Sequence, residues 1–580
     1  MKIVDGHFEL NGEKFHIYSG AIHYFRIMPE YWRDRLLKLK AAGFNTVETY
    51  IPWNLNEKRK GEFDFSGRLD IEKFLSIAQE VGLYAIVRPG PYICAEWDLG
   101  GLPAWLIKET KNIRCMDEVY TRHVKDYFTE LFKHLVNHQL SHGGNIIMMQ
   151  VENEYGNYGA DHNYMEWLRD IMINLGCDCL LCTSDDKNKR ALSSGMIDNV
   201  YATINFGSKA KDAFDDLALF NRNEPKMVME FWCGWFDHWG EKHHTKKAKW
   251  VAKQVSDLID MDANFNFYVF NGGTNFGFTS GANTYLKYTA TVTSYDYAAP
   301  LTEWGDYTKQ YYMVRDVMKN KLHLDLPELP PRPTLQNIGE VDLEVVGSLF
   351  GNLDNLATKR RVIYPEPMEM YDQASGLIYY EVEVNGKYSP VIFSIKGLHD
   401  YAYIYRDHKF VKKVKNNIKN LPTKILKEPT VLLKEIDGKV TLGVLVDNDG
   451  HVNFGNHITD MKGITGLEIV PSNLYNMDVY NIPLDNIGNI KENDDLTFPL
   501  FLRGKFKASS KDDCFVHFDG FSKGIIYVNG FNLGRYNKIG PQKTLYLPGC
   551  ILKDENEIVI LELEGYKKPI ITINDKPKLG

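Results

Sequence analysis

The stretch Asn145-Ile146-Ile147-Met148-Met149-Gln150-Val151-Glu152-Asn153-Glu154-Tyr155-Gly156 decides the fold, because a continuous apolar run ends abruptly in carboxylates. A run apolar at every position reads as a strand buried on both faces, which is the habit of parallel sheets covered by helices. Lys226-Met227-Val228-Met229 repeats the pattern and ends in Glu230-Phe231-Trp232. In α/β barrels the residues at strand ends lie on the rim that carries the chemistry. Two runs of this kind aim two carboxylates at one point.

Working outward, eight candidate strands begin near Ile17, Thr46, Tyr84, Asn145, Leu180, Asn199, Lys226 and Phe265. Between most of them lie helical patterns, at Tyr31 to Ala42, Ile71 to Val81, Val119 to Leu140, Tyr164 to Leu175 and Lys247 to Leu258, apolar at about 3.6-residue spacing. This alternation predicts a TIM (β/α)8 barrel over residues 1–325. A doubly wound sheet is the competing architecture, but no Gly-rich phosphate fingerprint follows the first strand. Residues 326–340, with Leu326-Pro327-Glu328-Leu329-Pro330-Pro331-Arg332-Pro333, read as a Pro-rich linker. Beyond it short β-type runs are separated by Asn, Asp and Gly clusters, predicting a β-sandwich over 341–490 and a jelly roll over 491–580, where Tyr527-Val528-Asn529-Gly530 is a hairpin signal.

A chain of 580 residues exceeds what one core supports, so several domains are expected. With a net charge of -8 and basic residues interspersed with acidic ones, no face is basic enough to follow a phosphate backbone, and nucleic acid is not an expected partner. The aromatic content of 13% keeps sugar stacking in view without deciding it. The first residues lack an apolar segment of signal-peptide length and nothing approaches a membrane span, so a cytoplasmic enzyme without membrane attachment is the expectation. The eight cysteines lack the spacing of a disulfide scaffold, and Cys177-Asp178-Cys179-Leu180-Leu181-Cys182 reads as core thiols rather than metal ligands.

Glycosidic bond cleavage needs one carboxylic acid to protonate the departing oxygen and a second carboxylate to meet the cationic anomeric carbon. Glu154 and Glu230 fit that demand, and Asn153 is placed to hydrogen-bond a sugar 2-hydroxyl. Either glutamate alone reads as readily as an ion-pair partner at a strand end; the pair together reverses that balance. Glu152, alternating with Asn153 along the strand, reads as a buried, paired structural acid. A metal is disfavoured because no compact ligand cluster surrounds the pair, and His243-His244 reads as solvated polar sequence.

At these residues, and at Ser19-Gly20-Ala21-Ile22-His23-Tyr24-Phe25-Arg26, Arg88-Pro89-Gly90-Pro91-Tyr92-Ile93-Cys94-Ala95-Glu96-Trp97, Asn271-Gly272-Gly273-Thr274-Asn275-Phe276-Gly277 and Thr293-Ser294-Tyr295-Asp296-Tyr297, the sequence resembles glycoside hydrolase family 35, the β-galactosidases. The last third resembles that family's galactose-binding-like jelly roll, while the middle matches loosely. The resemblance implies a retaining exo-β-galactosidase without cofactor or metal, Glu154 as acid/base, Glu230 as nucleophile, and a galactose pocket lined by Tyr50, Cys94, Ala95, Glu96, Asn153, Tyr268 and Tyr297. Trp232 stands where animal members carry Tyr, and Ala298 where an acidic residue is common. Trp232 and Trp235 are expected to stack the second sugar of the substrate, with β-1,3 linkage favoured by weak analogy, and Trp239 is balanced between that role and packing. The rival readings are an exo-β-glucosaminidase and a non-hydrolytic galactoside-binding protein. The expected partner is a β-galactoside; a homodimer is left open because no local signature fixes assembly.

Overall fold

The computed structural model describes residues 1–221, 224–285, 287–415 and 428–580. Eight parallel strands close into a barrel: β1 (Tyr18–Ile22), β2 (Thr46–Tyr50), β3 (Tyr84–Arg88), β4 (Ile146–Gln150), β5 (Leu180–Asp186), β6 (Tyr201–Phe206), β7 (Met227–Trp232) and β8 (Asn264–Asn271). Helices follow the strands, among them Trp32–Ala41, Ile71–Val81, Glu118–Leu135, His162–Asn174, Ala248–Asp260 and Lys309–Leu322. Their starts are set locally: Asp70, Asp117, Asp161 and Thr308 each accept a backbone N–H from the first turn. Their apolar stripes bury Phe74 and Leu75, or Tyr127 and Leu131, against the outside of the strands.

Three short strands not anticipated from the sequence, Lys2–Val4, His7–Leu10 and Glu13–Phe15, form an antiparallel sheet. They carry Phe8 and Leu10 into a cluster with Ile147, Met148, Met227 and Met229. The floor of the barrel is thereby filled, leaving only the opposite rim, at the strand C-terminal ends, open to a ligand.

The chain after the barrel forms two sandwiches. One pairs a six-stranded sheet, containing Leu377–Tyr388 and Ile436–Asp447, with a four-stranded sheet containing Val391–Lys396. The other combines five- and four-stranded sheets built mainly from 500–574. The sequence boundary at 341 falls inside structure: Gly339–Asp342 pairs with Ile570–Asn574, and Glu344–Ser348 with Leu500–Lys507. The C-terminal sandwich therefore takes its first two strands before the middle one begins. A strand's pattern records which face is buried but not which distant strand it pairs with, so local reading missed this return.

Both sandwiches brace the barrel rim. Tyr31 Oη donates to Asp513 Oδ1 at 2.6 Å and Thr293 Oγ1 to Arg535 O at 2.6 Å, joining the C-terminal unit to the barrel. The middle unit sends in the loop after Ile436–Asp447, where the His451 backbone N–H donates to Asp98 at 2.7 Å and Tyr92 Oη donates to Asn453 O at 2.6 Å. All eight cysteines are free, with Cys177 and Cys182 buried as expected of core thiols. No described helix is long and apolar enough to cross a membrane.

Candidate active site

The open rim holds a cavity of about 300 Å3, at the small end of ligand pockets. Tyr50 reaches it from the end of β2, Cys94, Ala95 and Glu96 from the loop after β3, and Asn153 and Glu154 from beyond β4. Glu230 and Trp232 come from β7, Trp235 from the loop after it, Tyr268 from β8, and Tyr297 from the connection that follows. Every site residue named from the sequence except Trp239 thus lines one cavity. Trp239 does not line it; its backbone N–H donates to Ala290 O at 2.9 Å.

Local backbone geometry aims these side chains. Along β7 the pairing register with β6 slips between Val228 and Glu230, so that Glu230 pairs with Asn205; an irregularity of this kind re-aims a side chain at a strand end. Glu154 sits at φ 45°, and Cys94, Ala95 and Glu96 at 54°, 55° and 50°, in the left-handed region that costs a non-glycine residue of order 1–3 kcal/mol. Surrounding bonds hold them there: the Glu154 N–H donates to Ser184 O, and the Gly281 N–H to Glu96 O, each at 2.9 Å.

The two candidate carboxyls sit in opposite surroundings. Glu230 is ringed by donors that suit a carboxylate: Arg88 Nη2 donates to Oε1 at 2.6 Å, Tyr50 Oη to Oε1 at 2.8 Å, and Trp232 Nε1 to Oε2 at 3.0 Å. Glu154 receives one neutral donor, Asn205 Nδ2 at 3.0 Å, itself oriented by Ser184 Oγ donating to Asn205 Oδ1 at 2.7 Å. Burial first, then the nearby charge of Glu230, raise the Glu154 pKa to about 8. A carboxyl that keeps its proton this far up the pH scale, beside a second carboxyl surrounded by donors, is suited to giving that proton to a bound group.

Asn153 has its amide orientation fixed by donors converging on Oδ1, from Arg88 Nη2 at 2.6 Å and Gln150 Nε2 at 3.0 Å, with Tyr50 Oη at 2.9 Å sharing its one proton between Asn153 and Glu230. A flipped amide would face those donors with an NH2 group. Its Nδ2 is buried and has no partner among the described residues, which leaves an N–H donor for a ligand hydroxyl. Glu152, as its alternation predicts, turns the other way and is gripped by the Arg114 fork at 3.0 and 2.8 Å and by Tyr164 Oη at 2.9 Å.

Burial pushes Glu96 up to about 7, opposed by a hydrogen bond from Tyr295 Oη and by the charge of Arg26. The Arg26 guanidinium lies 3.8 Å from the Tyr295 ring centroid and donates to His23 Nδ1 at 2.6 Å. Glu96 is thus held at the cavity wall beside Tyr295 and the Arg26 charge.

The structure adds to one expectation and corrects another. Trp232, expected to stack the second sugar, also has a contact the sequence did not suggest: its N–H bonds Glu230, because the strand end turns the indole edge toward the carboxylate. His243 and His244 are not simply solvated: both rings bond Asp237, at 2.7 and 2.8 Å, a contact made by loop closure that local polarity does not reveal. Trp235, 38% exposed, stands at the mouth, its ring at 80° to that of Trp232.

Sequence reading missed Arg88 and Asn205, which organise the carboxyls, although Arg88 opens a recognised motif. It also missed Asn157, Asp186, Phe236, Asn283, Tyr285 and Phe454 of the lining. Phe454 belongs to the middle sandwich, and no local signal could have joined it to a barrel rim. Among the described residues, no group of three or more His, Cys, Asp or Glu is arranged to hold a metal ion.

Residues 7–321 match the model of glycosyl hydrolases family 35, 365–483 that of the beta-galactosidase first all-beta domain, and 499–557 that of the beta-galactosidase galactose-binding domain. The chain is 41% identical to the Homo sapiens beta-galactosidase-1-like protein 2, an alignment covering 99% of this chain and 91% of that one. It is 39% identical to the Homo sapiens beta-galactosidase-1-like protein 3, over 99% and 88% respectively. With the Canis lupus familiaris beta-galactosidase it shares 37% identity over 98% and 90%.

Proposed function

The chain belongs to glycosyl hydrolases family 35 and is a glycoside hydrolase, and on that premise we propose that it is a retaining exo-β-galactosidase. Its substrate is a terminal, non-reducing β-galactoside of an oligosaccharide or glycan. The observation that carries this reading is the contrast between Glu154, proton-bearing up to about pH 8, and Glu230, ringed by Arg88, Tyr50 and Trp232.

In the first step Glu230 attacks the anomeric carbon while Glu154 gives its proton to the departing oxygen, so the glycosidic C–O bond breaks as an ester to Glu230 forms. Esterification removes the negative charge that holds the Glu154 proton, and Glu154 becomes a base. It then takes a proton from water, whose oxygen displaces Glu230 and releases galactose with its configuration retained. Asn153 Nδ2 supplies the donor to the 2-hydroxyl, a contact that strengthens as positive charge develops at the neighbouring carbon. Glu96, with Tyr50, Cys94, Ala95, Tyr268 and Tyr297, holds the remaining face of the sugar. A carboxyl accepting from two hydroxyls distinguishes an axial from an equatorial O4 by geometry. No step needs a cofactor. A β-1,3 preference is the finer expectation, with Trp235 at the mouth as the residue that would sense linkage.

Initial rates on a panel of 4-nitrophenyl glycosides, with Glu230→Gln as the control, test the proposal. Fast release from the β-galactoside alone, abolished in the variant, is the expected result. Release mainly from the β-glucosaminide would install the rival sugar preference, and galactoside binding without turnover would make the protein a lectin.

A further inference from the structure

A second cavity, of about 470 Å3, adjoins the first, and Asn157 lines both. It is larger than the cavity assigned to the terminal sugar, so it has room for at least one more. Its position relative to the chemistry is what gives it meaning. The groove is walled by the segment that begins two residues after Glu154, through Gly156, Asn157 and Gly159, and by Asn188, Arg190 and Ser194 across from it. The acid that protonates a departing oxygen faces the leaving group. A groove built from the acid's own loop therefore lies on the leaving-group side.

The groove is preformed. The Gly156 N–H donates to the buried Asp185 Oδ1 at 2.9 Å, and a Cβ at Gly156 would stand 1.8 Å from Ala191 O, so only glycine lets the loop lie this close to the segment bearing Arg190 and Ser194. A Cβ at Gly159 would meet Tyr155 Oη at 2.8 Å. Tyr158 Oη donates to Ile113 O at 3.1 Å and ties the loop from behind. On the opposite wall Asn188 Oδ1 accepts the Ala191 N–H at 2.7 Å, which fixes its amide. Two amides, a hydroxyl and a guanidinium set beside glycine backbone place donors and acceptors next to a comparable amount of apolar surface, as the hydroxyls and C–H faces of a sugar require. That chemistry suits the hydroxyls of a pyranose rather than an aryl or alkyl group.

We propose that this groove binds the third sugar, counted from the non-reducing end, of an extended substrate, so that the enzyme acts on galactosylated oligosaccharides of three or more units in preference to disaccharides. This rests on the galactosidase reading above and assigns its substrate class.

The test compares kcat/KM on 4-nitrophenyl β-galactoside, a galactosyl disaccharide, and the trisaccharide that extends the same disaccharide at its reducing end. The trisaccharide should exceed the disaccharide by on the order of tenfold, the scale on which a few added contacts discriminate. Ser194→Trp, which fills the groove, should bring that ratio to about one; Arg190→Ala, at an exposed position tolerant of change, should lower it in the same direction. Equal kcat/KM on the two sugars in the wild type, or a ratio untouched by Ser194→Trp, overturns the proposal while leaving aryl galactoside hydrolysis intact. Absence of aryl galactoside hydrolysis would instead overturn the reading beneath it.

Discussion

Asn153 and Glu230 share one guanidinium: Arg88 Nη2 donates to Asn153 Oδ1 and to Glu230 Oε1, each at 2.6 Å. The residue proposed to present a donor to the sugar and the carboxylate proposed to attack it are therefore fixed to the same atom. Arg88 in turn is held by Gln150 Oε1 at 2.8 Å, lies 3.7 Å from Glu48, and is fully buried. Removing it would leave two buried carboxyls without their cation. Arg88→Leu should lose activity on every substrate and, because breaking a buried ion pair from one side costs about 3–5 kcal/mol, should lower stability by that order. Denaturant unfolding measures it; a loss under about 1 kcal/mol would mean the pair contributes little to the fold.

Glu154 must carry a proton to act as an acid, so activity on poor leaving groups should fall as pH rises through about 8. The Asn205 hydrogen bond favours the charged form. Asn205→Ala should therefore move the alkaline limb of kcat/KM upward, and a downward shift would contradict the assignment. Glu154→Gln should retain the first step on activated aryl galactosides and be rescued by azide; equal losses on good and poor leaving groups would remove Glu154 from the acid role.

The two indoles should separate. Trp232→Phe removes the donor to Glu230 Oε2 and should depress all substrates by about one common factor, on the order of tenfold for one hydrogen bond to a charged group. Trp235→Ala, at the exposed mouth, should instead change the ratio of rates on β-1,3-, β-1,4- and β-1,6-linked disaccharides several-fold, the scale of one aromatic contact. Identical profiles for the two variants would refute the division.

His451 links the middle sandwich to the loop that carries Glu96. Fully buried, its Nδ1 lies 3.0 Å from Asp98 and its Nε2 2.6 Å from Glu369. Although burial alone would lower it, the two carboxylates raise its pKa to about 9. A folded pKa above the unfolded value of about 6.5 gives stability that is complete below pH 6.5 and lost as pH rises through 9. The contribution is on the order of 3 kcal/mol. Glu154 and Glu96 also lose stability with rising pH, so the informative quantity is the difference between wild type and His451→Gln. It should shrink between pH 6.5 and 9; a difference constant across that window would show that His451 contributes by packing alone.

The barrel was legible because strands such as Ile146–Gln150 and Met227–Trp232 are largely apolar runs and its helices are amphipathic, and both patterns are local. Glu154 and Glu230 were legible as the polar ends of such strands. What escaped local reading depends on long-range pairing. The return of Gly339–Asp342 to the C-terminal sandwich, the floor made by the first fifteen residues, and Phe454 at the cavity are contacts between segments far apart in sequence. Asn205 escaped for another reason: a lone asparagine near a strand end carries no motif, and its role appears only when β6 lies beside β5 and the Glu154 loop closes over both. The Trp232 bond to Glu230 also escaped, because a sequence places an indole without showing which edge it offers.

Mass-spectrometric mapping after trapping with a 2-deoxy-2-fluoro-β-galactoside is the most direct test of the account. The fluorine slows breakdown of the glycosyl-enzyme ester more than departure of an activated aryl group, so the intermediate accumulates. The account predicts one galactosyl label per chain, on Glu230, with β-galactose as the first anomer seen by NMR during ordinary turnover. A label on Glu154 or Glu96, or α-galactose as the first product, would contradict it.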